Sequence, residues 1–418
     1  MDPRYSVFAS RFVGPSGTRL LMDDLGEALA AGEDLCNLGG GNPARIPALQ
    51  ALFRARLRAT LDDGTFDRVS GVYDGPQGNR EFLRAVRDLL RREYGWPVEV
   101  DHIAVTAGSQ SSFFILFNLF TGHCVDGRRR YLDLPLTPEY IGYADIAIEA
   151  DALRARRPLI EHLDARQFKY RVDFPAFDLA ADSGAVCVSR PTNPTGNVLD
   201  ADEMSRLVEI TASADVPLIV DNAYGVPFPG IVFDAVEPVW AEHVVYCLSL
   251  SKLGLPGLRT GIVVARPDII EAIRSFNAIL TLATGSLGAV LATDLVASGE
   301  VLRVVTEVVR PYYRQRVADA VSWCARHFDG IDYHVHKPEG AIFLWLWFPD
   351  LPITAQELYA RLKARGVLVI PGHFFFPGLA GDWPHRHQCI RVSYAQDPVQ
   401  VEHGIRVIGE EVRRAWQG

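Results

Sequence analysis

The spacing of hydrophobic positions changes along the chain, and it predicts where helices and strands form. Residues 81–93 and 111–120 have the spacing of amphipathic helices. Between and after them lie short, continuous apolar runs at 103–106, 131–134, 185–189, 217–220, 244–249 and 261–265. Runs that are apolar on both faces and alternate with helical segments are typical of a buried, mostly parallel sheet. The pattern therefore predicts an α/β core.

After residue 286 the pattern changes to that of a smaller α+β domain. The elements predicted there are helices at 287–298, 301–328 and 355–365 and strands at 341–348, 367–370 and 390–393, followed by a closing helix. We expect the N-terminal residues to complete this domain. The predicted division is an N-terminal segment at 1–55 that is part of the small domain, a large domain at 56–290 and a small C-terminal domain at 291–418.

Length and composition exclude several classes of protein. The 418 residues are 48% hydrophobic and 22% charged, with a net charge of −9, which fits a globular protein of two or three domains. A pI near 5.7 without a cluster of basic residues argues against nucleic-acid binding, and no apolar stretch is long enough to span a membrane. The six cysteines are scattered and form no C-x-x-C pair, which predicts free thiols and a cytoplasmic location.

Lysine is rare in this chain, and one lysine stands out. Of the 42 basic residues only Lys169, Lys252, Lys337 and Lys363 are lysines. Lys252 alone follows a predicted buried strand directly, where its amine could form a Schiff base with a carbonyl group. The alternative for Lys252 is a surface lysine at the start of a helix, and the other three are interpreted as surface lysines.

Polar residues follow the predicted strands, and ligands of open α/β sheets bind at those carboxyl ends. Asp221 ends an apolar run, so its buried carboxylate needs a cationic partner, unless it simply caps the following helix. A protonated pyridine nitrogen is such a partner, as in pyridoxal phosphate. Gly108-Ser109-Gln110 precedes a helix whose N-terminus could bind a phosphate, which Ser249 and Arg259 could contact from the other side.

Together these segments resemble the fold type I pyridoxal-phosphate aminotransferases of the class I/II group. The resemblance covers nearly the whole chain and rests on Asn193-Pro-Thr-Gly196, Asp221-Asn-Ala-Tyr224, Ser249-Leu-Ser-Lys252 and Arg391. It implies pyridoxal 5'-phosphate as the cofactor. It also implies a mostly parallel seven-stranded sheet with helices on both faces, plus a smaller α+β domain.

The resemblance implies a role for each matching residue. Lys252 would hold the cofactor as a Schiff base and shuttle the substrate proton, and Asp221 would pair with the pyridinium. Tyr224, the third residue expected to be catalytic, would bind the phenolic oxygen of the ring together with Asn193. The other expected cofactor contacts are the ring-stacking Tyr140 and the phosphate-binding Gly108, Ser109, Gln110, Ser249 and Arg259.

The resemblance further implies how substrate and subunits meet. Arg391 would bind the substrate α-carboxylate through two hydrogen bonds, with Asn193 beside it and Gly41 packed close. Tyr73 would reach the phosphate bound by the neighbouring subunit. Such shared active sites imply a homodimer.

Longer segments resemble the branch of this family that acts on valine and pyruvate. They are Leu38-Gly-Gly-Gly-Asn-Pro43, Tyr73-Asp-Gly-Pro-Gln-Gly78, Pro138-Glu-Tyr-Ile-Gly-Tyr-Ala-Asp145, Asp221-Asn-Ala-Tyr-Gly-Val-Pro-Phe-Pro-Gly230 and His336-Lys-Pro-Glu-Gly-Ala-Ile-Phe-Leu-Trp-Leu-Trp347. We predict transamination between a small apolar L-amino acid (valine, 2-aminobutyrate or alanine) and a 2-oxo acid, pyruvate. The chain departs from the pattern of this branch at Leu258, Thr284-Gly-Ser286 and Phe374, and Phe374 is expected to alter the side-chain pocket.

Three alternatives remain beside this prediction. The same cofactor could support elimination, replacement or carbon–carbon bond formation. A non-catalytic sensor of pyridoxal phosphate would carry a basic helix-turn-helix, for which we expect no room at the N-terminus. His385, His387 and Cys389 alternate along the chain and could bind a metal, but no matching ligand pair occurs elsewhere, so no metal is predicted.

Overall fold

A computed structural model of the chain describes residues 4–13, 19, 23, 26 and 35–417. The part of the predicted segment 1–55 outside the described residues comprises 1–3, 14–18, 20–22, 24, 25 and 27–34. The strands are β1 Cys36–Asn37, β2 Ile103–Thr106, β3 Gly122–His123, β4 Arg129–Leu134, β5 Leu153–Ala155, β6 Leu159–His162, β7 Gln167–Arg171, β8 Ser183–Ser189, β9 Leu218–Asp221, β10 Val244–Ser249, β11 Gly261–Val264, β12 His334–His336, β13 Phe343–Trp347, β14 Val367–Leu368, β15 Ile370–Pro371 and β16 Cys389–Ser393.

Helices separate most of these strands. The α-helices are Val7–Val13, Pro47–Asp62, Thr65–Gly71, Arg80–Tyr94, Ser109–Phe120, Tyr143–Ile146, Ala201–Ser213, Pro267–Leu280, Leu287–Ala297, Glu300–Val304, Arg310–His327, Ala355–Ala364 and Pro398–Gln417. One π-helical stretch, Val305–Val309, joins two of them. Short 3₁₀ turns are Val100–His102, Pro256–Leu258, Gly372–Phe375 and Pro384–His387.

The large sheet has the order β2-β11-β10-β9-β8-β4, and β5 and the two-residue β3 both pair with β4. Strands β5, β4, β8, β9 and β10 run parallel to one another, whereas β11 is antiparallel to both β10 and β2. Without β3 the sheet has seven strands. The predicted mostly parallel α/β architecture is therefore confirmed, and the sheet has eight strands when the two-residue β3 is counted.

Successive residues of the central strands enter two separate hydrophobic cores. Val186, Val220 and Tyr246 belong to the core that also holds side chains from the helices Arg80–Tyr94 and Leu287–Ala297. Cys187 and Ile219 belong to the other core, under the helices Ser109–Phe120 and Pro267–Leu280. Because helices cover both faces, the interior positions of these strands are apolar on both faces, which is the pattern seen in the sequence.

A second, six-stranded sheet has the order β15-β16-β13-β12-β7-β6. Strands β6 and β7 come from residues 159–171, which the sequence analysis places in the large domain at 56–290. Gln167 and Phe168 pair with Val335 and His336, so that range contributes to both sheets. Strand β1 pairs in parallel with β14, and this contact joins the N-terminal segment to the C-terminal part of the chain.

Candidate active site

The parallel strands β8, β9 and β10 end side by side with polar residues. Ser189 is paired in register with Asp221, and Ser249 ends the next strand. Because the carboxyl ends of parallel strands meet at one edge, the side chains that follow them converge there. This edge of the large sheet is the candidate active site.

Asp221 is a buried carboxylate that accepts two hydrogen bonds. The Tyr143 hydroxyl donates to its Oδ2 at 2.7 Å, and the Ala223 N–H donates to its Oδ1 at 3.0 Å. Burial raises the pKa of Asp221, while these two hydrogen bonds act in the opposite direction. Within the described part of the chain, Asp221 forms no ion pair. A buried acid of this kind fits a bound group that carries a positive charge.

Lys252 follows β10 by three residues and points towards the N-terminal segment. Its Nζ donates to the Gly41 carbonyl oxygen at 2.6 Å and lies 5.2 Å from the centre of the Tyr224 ring. Burial lowers the pKa of Lys252 to about 8, and the charges of Arg391 and Arg259 lower it as well. A larger neutral fraction makes this amine a better nucleophile and base than an ordinary lysine.

A cradle for an anion forms where the helix Ser109–Phe120 begins. Gly108 has φ 87°, and a Cβ atom there would lie 2.1 Å from Arg259 Nη2. Only glycine lets the Arg259 guanidinium approach the helix N-terminus this closely. Free N–H groups of a first helical turn together with an arginine fit a phosphate group. The predicted Ser109 and Gln110 are the first two residues of this helix.

Ser249 and Ser251 line the other side of this cradle. The Ser251 N–H donates to Ser249 Oγ at 3.1 Å, and Arg259 donates to Ser251 Oγ at 3.3 Å. Ser251 therefore orients the arginine, a role that the sequence analysis does not assign to it.

Arg391 lies buried in the middle of β16. Its Nη1 donates to Asn193 Oδ1 at 2.7 Å and its Nη2 donates to the Gly39 carbonyl at 2.6 Å. Its guanidinium lies 4.0 Å from the centre of the Phe343 ring and 5.1 Å from that of Phe375. Burial lowers the pKa of Arg391 to about 10, so it is still cationic at neutral pH. Its Nε is buried without a hydrogen-bond partner, which fits a site for an anionic ligand.

The N-terminal segment spans the site from Arg391 to Lys252. The carbonyl groups of Gly39 and Gly41, two residues apart, accept hydrogen bonds from these two cations. The Leu38 carbonyl accepts a bond from the Ser393 N–H at 2.7 Å, which fixes the segment to β16. The sequence analysis expects Gly41 close to the carboxylate bound by Arg391; in the structure the Gly41 carbonyl contacts Lys252, and the Gly39 carbonyl contacts Arg391.

Two predicted tyrosines complete the cluster. The pKa of Tyr140 is raised by burial, and its ring packs edge-on against that of Tyr143 at 5.5 Å. Burial likewise raises the pKa of Tyr224, whose ring packs edge-on against Phe343 at 6.0 Å. Gln110 lies near Tyr140, since its Oε1 would be 3.1 Å from a Cβ atom on Gly142.

Tyr73 is the one predicted site residue that the chain does not bring into the cluster. Its side chain is 79% exposed. The adjacent Asp74 is held by hydrogen bonds from Ser286 Oγ at 2.5 Å and Asn79 Nδ2 at 3.1 Å. Ser286, one of the departures from the family branch, thus anchors the segment that carries Tyr73.

The sequence analysis misses three buried side chains beneath Asp221 and misinterprets one lysine. Glu139, Tyr143 and Ser189 form a hydrogen-bonded group with it. The signal was available in the segment 138–145, since a tyrosine and an acid in a buried loop both need partners. Lys169 is buried rather than on the surface, because its Nζ forms an ion pair with Glu339 at 2.5 Å.

Two other candidate features from the sequence have side-chain contacts of their own. Phe374 is partly buried, and its ring packs 4.1 Å from that of His373. The His385 ring contacts the Tyr170 hydroxyl at 2.5 Å and Cys389 Sγ at 3.7 Å. Across the residues that the structure describes, no three His, Cys, Asp or Glu side chains are grouped to hold a metal. None of the helices described is both long and apolar enough to cross a membrane.

Comparison with known proteins places the chain among enzymes of one family. The profile described as aminotransferase class I and II matches residues 34–408. Valine–pyruvate aminotransferase of Escherichia coli strain K12 is 48% identical over 412 residues, covering 99% of each chain. The crystal structure of the valine–pyruvate aminotransferase of Salmonella typhimurium LT2 has a TM-score of 0.89 at 46% identity, covering 96% of this chain and 99% of that one. These findings confirm the predicted family resemblance and its closer branch.

A second solved structure matches the whole fold. A Psychrobacter arcticum 273-4 protein assigned as an amino-acid aminotransferase has a TM-score of 0.97 at 43% identity, covering 99% of each chain. The order of strands and helices around the site is therefore shared over the full length.

Proposed function

The chain belongs to the class I and II aminotransferases, which use pyridoxal 5'-phosphate, and we propose that it transfers the amino group of valine or a similar small apolar L-amino acid to pyruvate. The observation that carries this proposal is the 48% identity to valine–pyruvate aminotransferase over 99% of both chains. The surroundings of Arg391 support it, because the aromatic rings of Phe343 and Phe375 flank the guanidinium and favour an apolar substrate side chain.

The polar groups of the site fit the cofactor in three places. Asp221 would hold the pyridine nitrogen in its protonated form, because the buried carboxylate gains the cation that it lacks. Gly108, Ser109 and Arg259 would hold the phosphate at the helix N-terminus. When bound, pyridoxal phosphate supplies an aldehyde that binds amino groups and a ring that accepts the electron pair released at the substrate Cα.

The protein's own groups then bind and orient the amino acid. Arg391 would bind the α-carboxylate, beside Asn193 and close to Gly41. Lys252 would take the proton from Cα, since a pKa of about 8 leaves part of its amine neutral at physiological pH. Tyr140 would lie on the ring and Tyr224 would donate to its phenolic oxygen, with Gln110 and Ser249 near the phosphate.

Arg391 is expected to control substrate affinity. In Arg391→Ala, the KM for valine should rise by about 100-fold, because a two-pronged charge-assisted pair with the carboxylate is lost. Steady-state kinetics would measure this. The matched control is isobutylamine, which lacks the carboxylate. Its slow reaction should change little in the variant, and an equal loss for both compounds would show that Arg391 does not bind the carboxylate.

A homodimer with shared active sites is also proposed. Large apolar side chains are exposed on two adjacent segments, which are joined by the hydrogen bond from Asn277 Nδ2 to the Pro76 carbonyl at 2.8 Å. They are Val72, Tyr73, Ile279, Leu280 and Leu282. A second copy would cover this surface and receive Tyr73 at its phosphate cradle. A cytoplasmic location is proposed too, because all six cysteines are free and five of them are buried.

Mixed dimers would test the placement of Tyr73. Tyr73→Phe is expected to weaken cofactor affinity by about tenfold, as one hydrogen bond to a charged group is lost. Mixing Tyr73→Phe subunits with Lys252→Ala subunits creates one site that has both a wild-type Lys252 and a wild-type Tyr73 from its partner. That site should recover wild-type affinity, measured by fluorescence titration. Recovery would be absent if Tyr73 acted within its own subunit.

The substrate proposal is tested with a panel of amino acids and pyruvate as acceptor. Valine, 2-aminobutyrate and alanine should react fastest, with one 2-oxo acid formed per amino group transferred. A preference for aspartate or glutamate by orders of magnitude would contradict the substrate assignment. Release of ammonia without amino transfer would indicate elimination instead.

A further inference from the structure

A continuous chain of buried side chains leads from Asp221 to a second acid, Glu139. The Tyr143 hydroxyl, which donates to Asp221 at 2.7 Å, lies 3.3 Å from Ser189 Oγ. Ser189 Oγ lies 2.5 Å from Glu139 Oε2, and the Ser189 N–H donates to Glu139 Oε1 at 2.9 Å. All four residues are buried. The chain therefore joins two carboxyl groups, with no cation between them.

The surroundings of Glu139 disfavour a second negative charge. Its titratable neighbours are Asp221, Tyr143 and Cys187, which are all acids. Burial, with a smaller contribution from the charge of Asp221, raises the pKa of Glu139 to about 8, although the hydrogen bonds with Ser189 act in the opposite direction. When two acids interact this closely, the state in which only one of them is ionised is favoured. Beside a cationic ligand, Asp221 is the acid that carries the negative charge.

On its remaining side, Glu139 forms no ion pair with any residue that the structure describes. Its backbone N–H donates to the Phe375 carbonyl at 2.8 Å, in the turn Gly372–Phe375. The titratable residue of that turn, His373, packs its ring against His387 at 5.7 Å, and burial lowers its pKa to about 4. At neutral pH, where an ionised Glu139 would need a cationic partner, His373 is therefore uncharged.

We propose that Glu139 is a positioning residue that stays protonated and starts a one-way chain of hydrogen bonds ending on the carboxylate of Asp221. Glu139 Oε2–H donates to Ser189 Oγ, the Ser189 hydroxyl donates to Tyr143, and the Tyr143 hydroxyl donates to Asp221. An ionised Glu139 would turn the Ser189 hydroxyl around and leave Tyr143 without its donor. The chain stabilises the negative charge on Asp221. Its effect on the cofactor rests on the proposed function, in which Asp221 binds the pyridine nitrogen.

The holoenzyme and three variants test this assignment. Glu139→Gln keeps the chain, because its amide oxygen accepts from the Ser189 N–H and its NH₂ donates to Ser189 Oγ. Glu139→Ala and Ser189→Ala interrupt it, and Ser189→Ala remains informative if Glu139→Ala does not fold. The readouts are cofactor affinity, the pH midpoint of the cofactor's visible absorption change, and the infrared carbonyl band of a protonated carboxylic acid.

The wild-type enzyme should show the infrared band at neutral pH, and Glu139→Gln should lack it yet keep the wild-type affinity and midpoint. Glu139→Ala and Ser189→Ala, which interrupt the hydrogen-bond chain, should bind the cofactor about tenfold more weakly. Their midpoint should move to higher pH, because a less cationic ring withdraws less charge from the bond to Lys252.

Two results would overturn the proposal. One is the absence of the infrared band, or a Glu139→Gln variant as impaired as Glu139→Ala, since either would mean that Glu139 is ionised. The other is a wild-type midpoint and affinity in all three variants, which would mean that the chain does not act on Asp221. Failure of the wild-type protein to bind pyridoxal phosphate would instead refute the proposed function, and the infrared band would still report the protonation of Glu139.

Discussion

Replacing Lys252 with alanine is expected to lower kcat/KM for valine and pyruvate by at least about four orders of magnitude. A positioned acid–base group contributes about 10²–10⁴ in rate, and the loss of the nucleophilic amine adds to this. The lowered pKa of Lys252, about 8, is the property that an ordinary surface lysine would lack. Steady-state and single-turnover kinetics on the purified variant would measure the loss.

Lys363→Ala is the matched control, because it removes an exposed lysine from the helix Ala355–Ala364. It should retain wild-type kinetics and the wild-type visible absorption of the bound cofactor. Lys252→Ala should still fold and still bind pyridoxal phosphate through the phosphate cradle, without a covalent bond. A Lys252→Ala variant within tenfold of wild type would show that another group moves the proton.

The second large effect is expected for Asp221→Asn, which should lower kcat by about 10²–10³. Removing one partner of a buried charged pair costs about 3–5 kcal/mol, and the pyridine nitrogen would lose the group that keeps it protonated. The amide has nearly the same shape, and its oxygen can still accept from the Ala223 N–H, while its NH₂ can donate to the Tyr143 hydroxyl oxygen. The loss should therefore appear in kcat and in the cofactor's absorption rather than in the folding of the protein.

Asp133→Asn separates this effect from a general loss of buried charge. Asp133 is buried on β4 and pairs with Arg154 at 3.0 Å, away from the candidate site. Its variant should lose thermal stability but keep the wild-type cofactor spectrum. If both variants changed the spectrum equally, or if Asp221→Asn kept the full rate, the role proposed for Asp221 would be wrong.

The central strands could be predicted because their physical signal is local. Strands Ile103–Thr106 and Val244–Ser249 have the predicted bounds, since continuous apolar runs between helices have few other interpretations. Strands β6 and β7 give no such signal, because both carry charged residues within short apolar stretches. Lys169 looked exposed for the same reason, and only its contact with Glu339, 170 positions later, explains its burial.

The residues of the candidate site also differ in how far the sequence alone predicts them. The residues at the carboxyl ends of strands, such as Asp221, follow from a rule about sheets, and the family resemblance gives them roles. The contacts of Gly39 and Gly41 with Arg391 and Lys252 depend on where the N-terminal segment crosses the site. No spacing in the sequence specifies that path. The group formed by Glu139 and Ser189 is likewise a product of tertiary placement, since its members lie 50 positions apart.

Reduction with borohydride is the most direct measurement of the central claim, which is a covalent bond between Lys252 and pyridoxal phosphate. The holoenzyme would be reduced, digested and analysed by mass spectrometry. The peptide that contains Lys252 should carry the reduced cofactor, and the peptides with Lys169, Lys337 and Lys363 should be unmodified. An unlabelled Lys252, or a label on any of the other three lysines, would contradict the account.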